Sequence, residues 1–487
     1  MPKRASSSST SVARSSKKTK TDTPPPTHTL VIDNGGDTVR FGWSTDETPR
    51  SIPNVTARLP QQWTILAGDQ LAQVQNPNSL IGVTRSTERG IIVNWGNQIQ
   101  VWKRVLDLMG IAVQPTETAQ ALGWRKSTSS TIPAASCAVR LTVPPQCPRN
   151  VLDQLLQIWL EDLGVGHLSL VMPSTTVTNA YETTCLVDLG WSATTIQCRH
   201  RTKVHSIRRL PLAGRHLIRL LQYHCSFRHM NLMDQEWLLR KVLQQAGFVS
   251  MEFEQDMKIA RLLPGGRRPY DRIVTLPDFS TSFEVKVEKP PTLQENEHGD
   301  EGEEDDDDDD EDVNEEDMQE GDDNESGSDS DDEAALRKKL VQQRQEAARR
   351  IEEEPQILPL SVERFAIPEA LFRPSDVGLP AEWAGIPEAI VQAIEATPEA
   401  LQPAFYRSIV LVGGLSLLPN LKDRIARDFR TLAPTEYETI IEIAEKPMEQ
   451  AWQAARMQKE VVSMRRSDWE ENKRGAWQCF LDAGQLI

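Results

Sequence analysis

Three apolar runs that each end in a glycine turn constrain the fold of this 487-residue chain more than any other feature. In the first, Val31–Gly36, a strand-like run delivers Asp33 into a tight turn, and Leu186–Gly190 does the same with Asp188. The third, Ile409–Ser416, places a glycine pair after a buried strand. Backbone N–H groups of such turns can face a phosphate, and the aspartates can hold a hydrated divalent cation. Each run alone is a weak signal, but the three together predict a phosphate cleft.

Strand-like and helix-like segments alternate from Thr29 to about Phe279, which is typical of an α/β architecture. The chain is too long for one ordinary core, so two or more domains are expected. We find no internal sequence repeat. The clearest periodic runs predict helices over Asn97–Leu108, Val151–Leu163, Gly214–Tyr223 and Asp234–Ala246.

A strongly acidic stretch, Glu295–Glu333, interrupts this folded sequence. It holds 25 of the 71 carboxylates and no Lys or Arg, so the other 46 carboxylates face 54 basic residues. Because like charges repel and apolar groups are scarce there, we predict that Glu295–Glu333 is disordered, within an acidic and helical insert that runs over about 284–358. The last part of the insert, residues 333–354, is rich in Ala, Leu, Gln, Arg and Glu, and predicts a single exposed helix.

The N-terminal tail, Met1–Thr27, is rich in Ser and Lys and too polar to bury a core, so it is also predicted to be disordered. Its basic runs Lys3-Arg4 and Lys17–Lys20 fit a nuclear address or a simple solvated tail.

Cysteine spacing and hydropathy exclude several classes of protein. The six cysteines form no C-x-x-C pair, which argues against a disulfide framework and against a zinc site. The start of the chain lacks the apolar core of a secretory signal, and no stretch approaches the roughly 18 apolar residues of a membrane span. We therefore expect a soluble protein of a reducing compartment with no membrane partner.

The three strand–turn runs, in this order and at these separations, resemble the actin superfamily, in which two similar halves clamp ATP and a divalent cation. The resemblance covers nearly all of Thr29–Phe480 apart from the insert. It is also carried by Gly90–Trp95, Leu212–Arg215, Leu276–Asp278, Glu363–Phe365 and Pro368–Phe372. The expected fold is therefore α/β, an actin-like two-domain (four-subdomain) nucleotide-cleft fold with a disordered acidic insert.

The resemblance also implies domain boundaries. After the tail over 1–27, the first large domain (subdomains 1 and 2) would span 28–178. The second (subdomains 3 and 4) would span 179–445 and carry the 284–358 insert, and 446–487 would return to subdomain 1.

By the same resemblance the cofactor would be ATP or ADP with Mg²⁺. The residues expected to contact it are Asp33, Asn34, Gly35, Gly36, Arg40, Asp188, Gly190, Arg240, Gly413, Gly414 and Leu415. Asp33 and Asp188 would hold the metal through bound water. The alternative that the residues leave open is that both aspartates are only turn residues in a degenerate cleft.

Several departures from actin bear on catalysis. Asp37 stands where actin has a glycine and adds negative charge beside a polyanion, while Arg40 replaces a phosphate-binding lysine. Trp191 replaces an aspartate and Thr195 a histidine, and His167–Thr184 contains no glutamine that could position the attacking water. We therefore expect no catalytic residues and no significant ATPase activity.

Within the superfamily the sequence resembles nuclear actin-related proteins. That resemblance implies a non-polymerising scaffold subunit of a SWR-type ATP-dependent chromatin remodeller, which exchanges a nucleosomal histone for its Z-type variant and regulates transcription. Expected partners are the other subunits of the complex, with histones and nucleosomal DNA met indirectly or through the acidic insert and the basic tail. The insert could equally be a solvated spacer. The expected location is the nucleus and also the cytoplasm.

Two other functions stay open. An actin-superfamily ATPase would need a base or a water-positioning group, and a cytoskeletal actin would need its filament contacts. The stretch Pro53–Asp69 is shorter than the actin loop that contacts the next subunit of a filament, so self-polymerisation is not expected.

Overall fold

The structure is a computed structural model that describes residues 26–60, 64–74, 80–113, 132–172, 182–201, 203–277, 284–290, 356–380, 382–458, 461–471, 473 and 475–486. The acidic segment Glu295–Glu333, the helix expected over 333–354 and nearly all of the tail Met1–Thr27 lie outside these residues. The chain divides into two compact units. The first comprises Met1–Gly214, Ile386–Leu417 and Ile425–Ile487, and the second Arg215–Gly385 and Leu418–Arg424. The domain boundaries drawn from the sequence stay a prediction.

A six-stranded sheet, here the first sheet, lies in the first unit around the strand His28–Asn34. This strand pairs in parallel with Cys137–Thr142 and antiparallel with Thr38–Trp43. Its outer strands are His167–Val171, Arg50–Pro53 and Met464–Arg465. The apolar run Leu30–Ile32 is fully buried at the centre of this sheet, as expected of a strand that is covered on both faces.

A second sheet of the same unit repeats this arrangement with five strands. Its central strand, Thr183–Leu189, pairs antiparallel with Thr194–His200 and in parallel with Ile409–Val412. Lys203–Leu210 and Ile441–Ile443 form its edges. In both sheets an antiparallel three-strand meander is thus extended by two parallel strands. The resemblance to actin implied this duplication, but no sequence repeat accompanies it, because backbone pairing sets the strand order and many different apolar side chains satisfy it.

Helices and small sheets complete the first unit. Its helices are Trp95–Leu108, Arg149–Gln157, Ile386–Glu395, Gln402–Tyr406, Gln450–Met457, Arg466–Glu471 and Gln478–Asp482, together with all but the first turn of Leu421–Leu432. Its small sheets pair Thr56–Arg58 with Ile65–Ala67 and Ile81–Thr84, Thr87–Glu88 with Ile91–Ile92, and Ile111–Ala112 with Ile132–Pro133. The predicted helix over Val151–Leu163 is present, but its second half, Ile158–Asp162, winds as a π-helix.

The C-terminal part of the chain packs against the first sheet. Helix Gln450–Met457 inserts the fully buried Trp452, whose indole Nε1 donates to the carbonyl oxygen of Val31 at 3.1 Å. Arg140, on a central strand, donates from Nη1 to the carbonyl oxygens of Ala455, Arg456 and Gln458 at 2.6–3.2 Å. The guanidinium therefore caps the end of this helix, where carbonyls lack helical partners.

The second unit has its own aromatic core. It contains the helices Gly214–Arg228, Glu236–Ala246, Phe253–Leu262 and Glu363–Glu369 and the strands Arg272–Thr275, Lys286–Glu288 and Ile357–Leu360. Phe365 is fully buried against Phe248, Phe253 and Tyr270. Arg424 and Glu369, both at most 2% exposed, form a two-pronged ion pair with N–O distances of 2.9 and 3.1 Å. None of the helices in the described part of the chain is both long and apolar enough to cross a membrane.

Candidate functional site

The two turn aspartates lie at the ends of the central strands of the two sheets. Asp33 is the penultimate residue of its strand, His28–Asn34, with only 7% of its surface exposed, and Thr142 Oγ1 donates to its Oδ1 at 2.9 Å. The Arg40 guanidinium is 3.8 Å from the other carboxylate oxygen. Asp188 is the penultimate residue of Thr183–Leu189. The structure therefore brings together the three charged groups that the sequence assigned to one cleft.

Burial makes both carboxylates weaker acids. Burial raises the pKa of Asp188 to about 7, with a further contribution from the nearby Asp33 and an opposing one from Arg40. Burial likewise raises the pKa of Asp33, against Arg40 and the Thr142 hydrogen bond, which lower it. Because Asp33 raises the pKa of Asp188, a cation placed near Asp188 would favour its charged form. Arg40 already supplies a positive charge at this place.

Two of the predicted phosphate-contacting glycines have structural reasons to be glycine. A Cβ on Gly36 would stand 1.9 Å from Ser192 Oγ, so the serine fills that side of the turn. Gly413 adopts a φ of +87°, and a Cβ there would stand 2.5 Å from the carbonyl oxygen of Leu189. Both positions require glycine because the turns approach each other closely, with or without a phosphate.

The remaining predicted contacts fall into two groups. Gly35, Gly190 and Leu415 are half-buried in the first unit and Gly414 beside them is exposed, so its backbone is available to a ligand. Arg240 belongs to the second unit, where it is half-buried on helix Glu236–Ala246. Its assignment to an adenine pocket stays a prediction.

The side chain of Asn34 points into an internal polar network. Its Oδ1 accepts hydrogen bonds from Gln98 Nε2 at 2.9 Å and from Trp102 Nε1 at 3.0 Å. The fully buried Gln98 also accepts from Asn54 and Ser86. The network also contacts the backbone of the first turn, since Asn54 Nδ2 donates to the carbonyl oxygen of Gly35. Sequence reasoning missed it because its members come from four separate segments.

A second group that the sequence did not reveal joins the two aspartate turns. Arg85 Nη1 lies 3.1 Å from Asp37 Oδ1 and donates to the Asp37 carbonyl oxygen at 3.3 Å. The same guanidinium stacks on the ring of Trp191, 4.8 Å from its centroid. The charge of Asp37, expected to oppose a polyanion, is therefore compensated within the protein. Two departures from actin, Asp37 and Trp191, are parts of one contact.

The residues present fit a nucleotide only in part. Asp33 and Asp188 have the oxygen donors that a hydrated Mg²⁺ prefers, and Arg40 could contact a phosphate. In the described part of the chain, no group of three or more His, Cys, Asp or Glu side chains is placed to hold a metal directly. The space beside Gly36 is filled, and the two turns are already joined by protein groups. Thr195 and Trp191 offer no general base.

Comparison with known proteins agrees with this architecture. The pattern of the family described as Actin matches residues 25–457. The chain is 27% identical over 452 residues to the Actin-like protein ARP6 of Cryptococcus neoformans, covering 89% of this chain and 78% of the relative. It is 27% identical over 484 residues to Actin-related protein 6 of Oryza sativa subsp. japonica, covering 92% and 97%, respectively. Actin-related protein 6 of Drosophila melanogaster is 23% identical over 438 residues, covering 87% and 90%. The expected resemblance and the α/β fold are confirmed: the chain belongs to the actin family.

Proposed function

We propose that this actin-related chain is a scaffold subunit of a nuclear SWR-type chromatin remodeller, that it has no ATPase activity of its own, and that it does not polymerise. In this role the actin fold supplies docking surfaces for other subunits, while a separate motor subunit hydrolyses ATP. The remodeller exchanges a nucleosomal histone for its Z-type variant and so regulates transcription. Support for the remodeller role comes from the resemblance of the sequence to nuclear actin-related proteins over most of its length.

The contact of Arg85 with both turns is the main support for the proposed absence of ATPase activity. In a phosphoryl-transfer site, positioned groups must orient the attacking nucleophile and stabilise charge on the transferred group. Here Trp191 and Thr195 stand where actin has an aspartate and a histidine, and Trp191 is stacked by a guanidinium that is itself paired with Asp37. The described residues Trp191 and Thr195 therefore pack beside Asp188 without supplying the aspartate and histidine side chains that stand there in actin, which supports the absence of ATPase activity.

The remodeller role is tested by isolating the chain with its native partners. Affinity-tagged protein, expressed from its own promoter, is purified at moderate salt, and co-purifying proteins and nucleotide are identified by mass spectrometry. We expect a remodeller motor subunit and Z-type histone at near-stoichiometric levels, and their loss from chromatin-bound fractions when the chain is depleted. Recovery of the chain alone, or with cytoskeletal proteins only, would contradict the role.

The absence of ATPase activity is tested separately with the purified chain. Phosphate release in the presence of MgATP should not exceed that of an Asp188→Ala variant prepared in parallel. A turnover that this substitution abolishes would establish an enzyme instead. Sedimentation with ATP and Mg²⁺ tests the cytoskeletal alternative, since a polymerising chain would pellet above a critical concentration.

We also propose that the acidic segment Glu295–Glu333 contacts histones. Its 25 carboxylates with no Lys or Arg match the basic charge of histone tails. Deleting the segment should weaken core-histone binding in low salt and leave the unfolding temperature unchanged. A control replaces its Asp and Glu with Asn and Gln at the same length. If both variants keep full histone affinity, the segment is a spacer.

A further inference from the structure

Two chains of contacts, both through residues 85–87, tie the first aspartate turn to the second. In one, Arg85 pairs with Asp37 and stacks on Trp191. In the other, Thr87 Oγ1 lies 3.4 Å from the carbonyl oxygen of Gly36 and 3.4 Å from Ser192 Oγ. Residues 85–87 thus contact both turns twice. We call the set of Asp37, Arg85, Thr87, Trp191 and Ser192 the clasp.

Hydrogen bonds of the neighbouring residues Ser86 and Thr38 hold the clasp in place. Ser86 is 2% exposed; its hydroxyl donates to Gln98, and its carbonyl oxygen accepts from the N–H groups of Val93 and Asn94 at 2.8 and 3.1 Å. The Arg85 side chain is only 9% exposed, and Thr38 Oγ1 donates to Asp37 Oδ2 at 3.0 Å. These partners fix the guanidinium before any ligand binds, so little side-chain entropy is lost in making the bridge.

A ligand that binds only the folded protein stabilises it by an amount set by the ligand concentration relative to its dissociation constant. In this chain the contact between the turns is made by Arg85 and Thr87, and Arg40 sets a positive charge beside Asp33. We infer that the clasp takes the place of nucleotide and divalent cation as the tie between the two sheets of the first unit. The two sheets then stay tied to each other without either ligand.

The test compares thermal unfolding of the full chain in three buffers: 1 mM MgATP, 1 mM MgADP, and EDTA without nucleotide. We expect the three midpoints to agree within about 1 °C, because the clasp already joins the turns that a nucleotide would bridge, so neither nucleotide binds tightly enough to raise the midpoint. A midpoint higher by more than about 3 °C with either nucleotide than in EDTA would overturn the inference. This arm needs no variant.

A second arm tests the clasp itself. Arg85→Met keeps the length of the side chain but removes the ion pair, and should lower the midpoint by about 3–8 °C. Arg85→Lys keeps the charge and loses the planar stacking, so it should lower the midpoint by less than Arg85→Met does. Arg58→Met, at an exposed arginine of the same unit, is the matched control. In a double-mutant cycle, Arg85→Met with Asp37→Asn should cost clearly less than the sum of the two single variants.

An Arg85→Met midpoint equal to that of Arg58→Met, or full additivity in the cycle, would also overturn the inference. The clasp does not depend on the remodeller role. A failed co-purification would leave it standing, and a nucleotide-dependent midpoint would leave the remodeller role standing.

Discussion

Asp188 is the residue whose chemistry differs most from that of an ordinary surface aspartate. Burial and the neighbouring Asp33 raise its pKa to about 7, from an ordinary value of 3.8. The folded chain therefore binds a proton at this carboxyl more tightly than the unfolded chain does. Between about pH 4 and pH 7 folding takes up this proton, so the contribution of Asp188 to stability falls as the pH rises through that window.

Replacing Asp188 with Asn should stabilise the protein at pH 8, because the amide keeps the shape of the carboxyl without its charge. The gain is at most about 4 kcal/mol, since one pKa unit corresponds to about 1.4 kcal/mol. The free energy of unfolding, measured by urea titration at pH 5 and pH 8, should differ less between the two pH values in the variant. Asp423→Asn, at an exposed aspartate, is the control. A variant that is less stable at pH 8 than the parent would contradict the assignment.

Replacing Arg40 with Met should have the opposite effect. Without this guanidinium, 3.8 Å from Asp33 Oδ2, the two carboxylates repel each other with no cation to offset the charge. We expect a loss of about 1–3 kcal/mol that grows as the pH rises from 6 to 8. Arg40→Lys retains the charge, so its stability should lie close to that of the parent. A loss that is the same at pH 6 and pH 8 would show that only packing was removed.

At this scale the sequence predicted individual residues better than their partners. Asp33 and Asp188 were assigned to one cleft from strand–turn patterns and Arg40 from the resemblance to actin, and the three groups do interact. Asn34 was assigned to the nucleotide, and in the structure its side-chain Oδ1 accepts a hydrogen bond from Gln98, 64 residues away in the chain. Asp37 was expected to repel a polyanion, because nothing local signals its pairing with Arg85, 48 residues later. Local patterns define turns, but long-range ion pairs depend on the assembled fold.

At the scale of elements, helix Gln450–Met457 depends on a side chain from another element. Arg140, on the strand Cys137–Thr142, caps three carbonyls at the end of the helix. Arg140→Met should therefore cost about 1–3 kcal/mol of unfolding free energy, because charged hydrogen bonds to buried carbonyls are lost. Hydrogen exchange should accelerate at the last turn of this helix and not in helix Trp95–Leu108. Unchanged exchange there would mean that the arginine only fills space.

Helix positions were predicted well and helix ends less well. The run Gly214–Tyr223 continues to Arg228 in the structure, although Phe227 is 91% exposed and breaks the apolar periodicity. The resemblance to actin implied two similar halves, but residue spacing alone did not give the matching strand order of the two sheets. Strand order depends on pairing between segments far apart in the chain, which many different apolar sequences satisfy.

At the scale of the whole molecule, the second unit depends on one buried ion pair. Arg424 and Glu369 are almost fully buried, and Arg424 Nη1 also donates to the carbonyl oxygen of Ser250 at 2.6 Å. Glu369→Gln should lower stability by about 3–5 kcal/mol, because it leaves a buried positive charge uncompensated. Replacing both partners, as Glu369→Gln with Arg424→Met, should restore part of the loss. Calorimetric unfolding of the two variants decides this, and equal midpoints for the Glu369→Gln variant and its parent would refute it.

The return of helix Gln450–Met457 to the first sheet sets the order in which the protein can be made. Trp452 covers Val31 from 421 residues further along the chain, and the C-terminal Gln485 donates to the carbonyl oxygen of Leu170. A ribosome adding about 5–20 residues per second needs about 20–80 s to pass from the codon for Val31 to the codon for Trp452. Through that interval the nascent chain carries an uncovered apolar sheet face, so we expect a holding chaperone to bind it during synthesis. A premature stop anywhere before codon 452 would leave that face bare permanently and make the product a target for degradation.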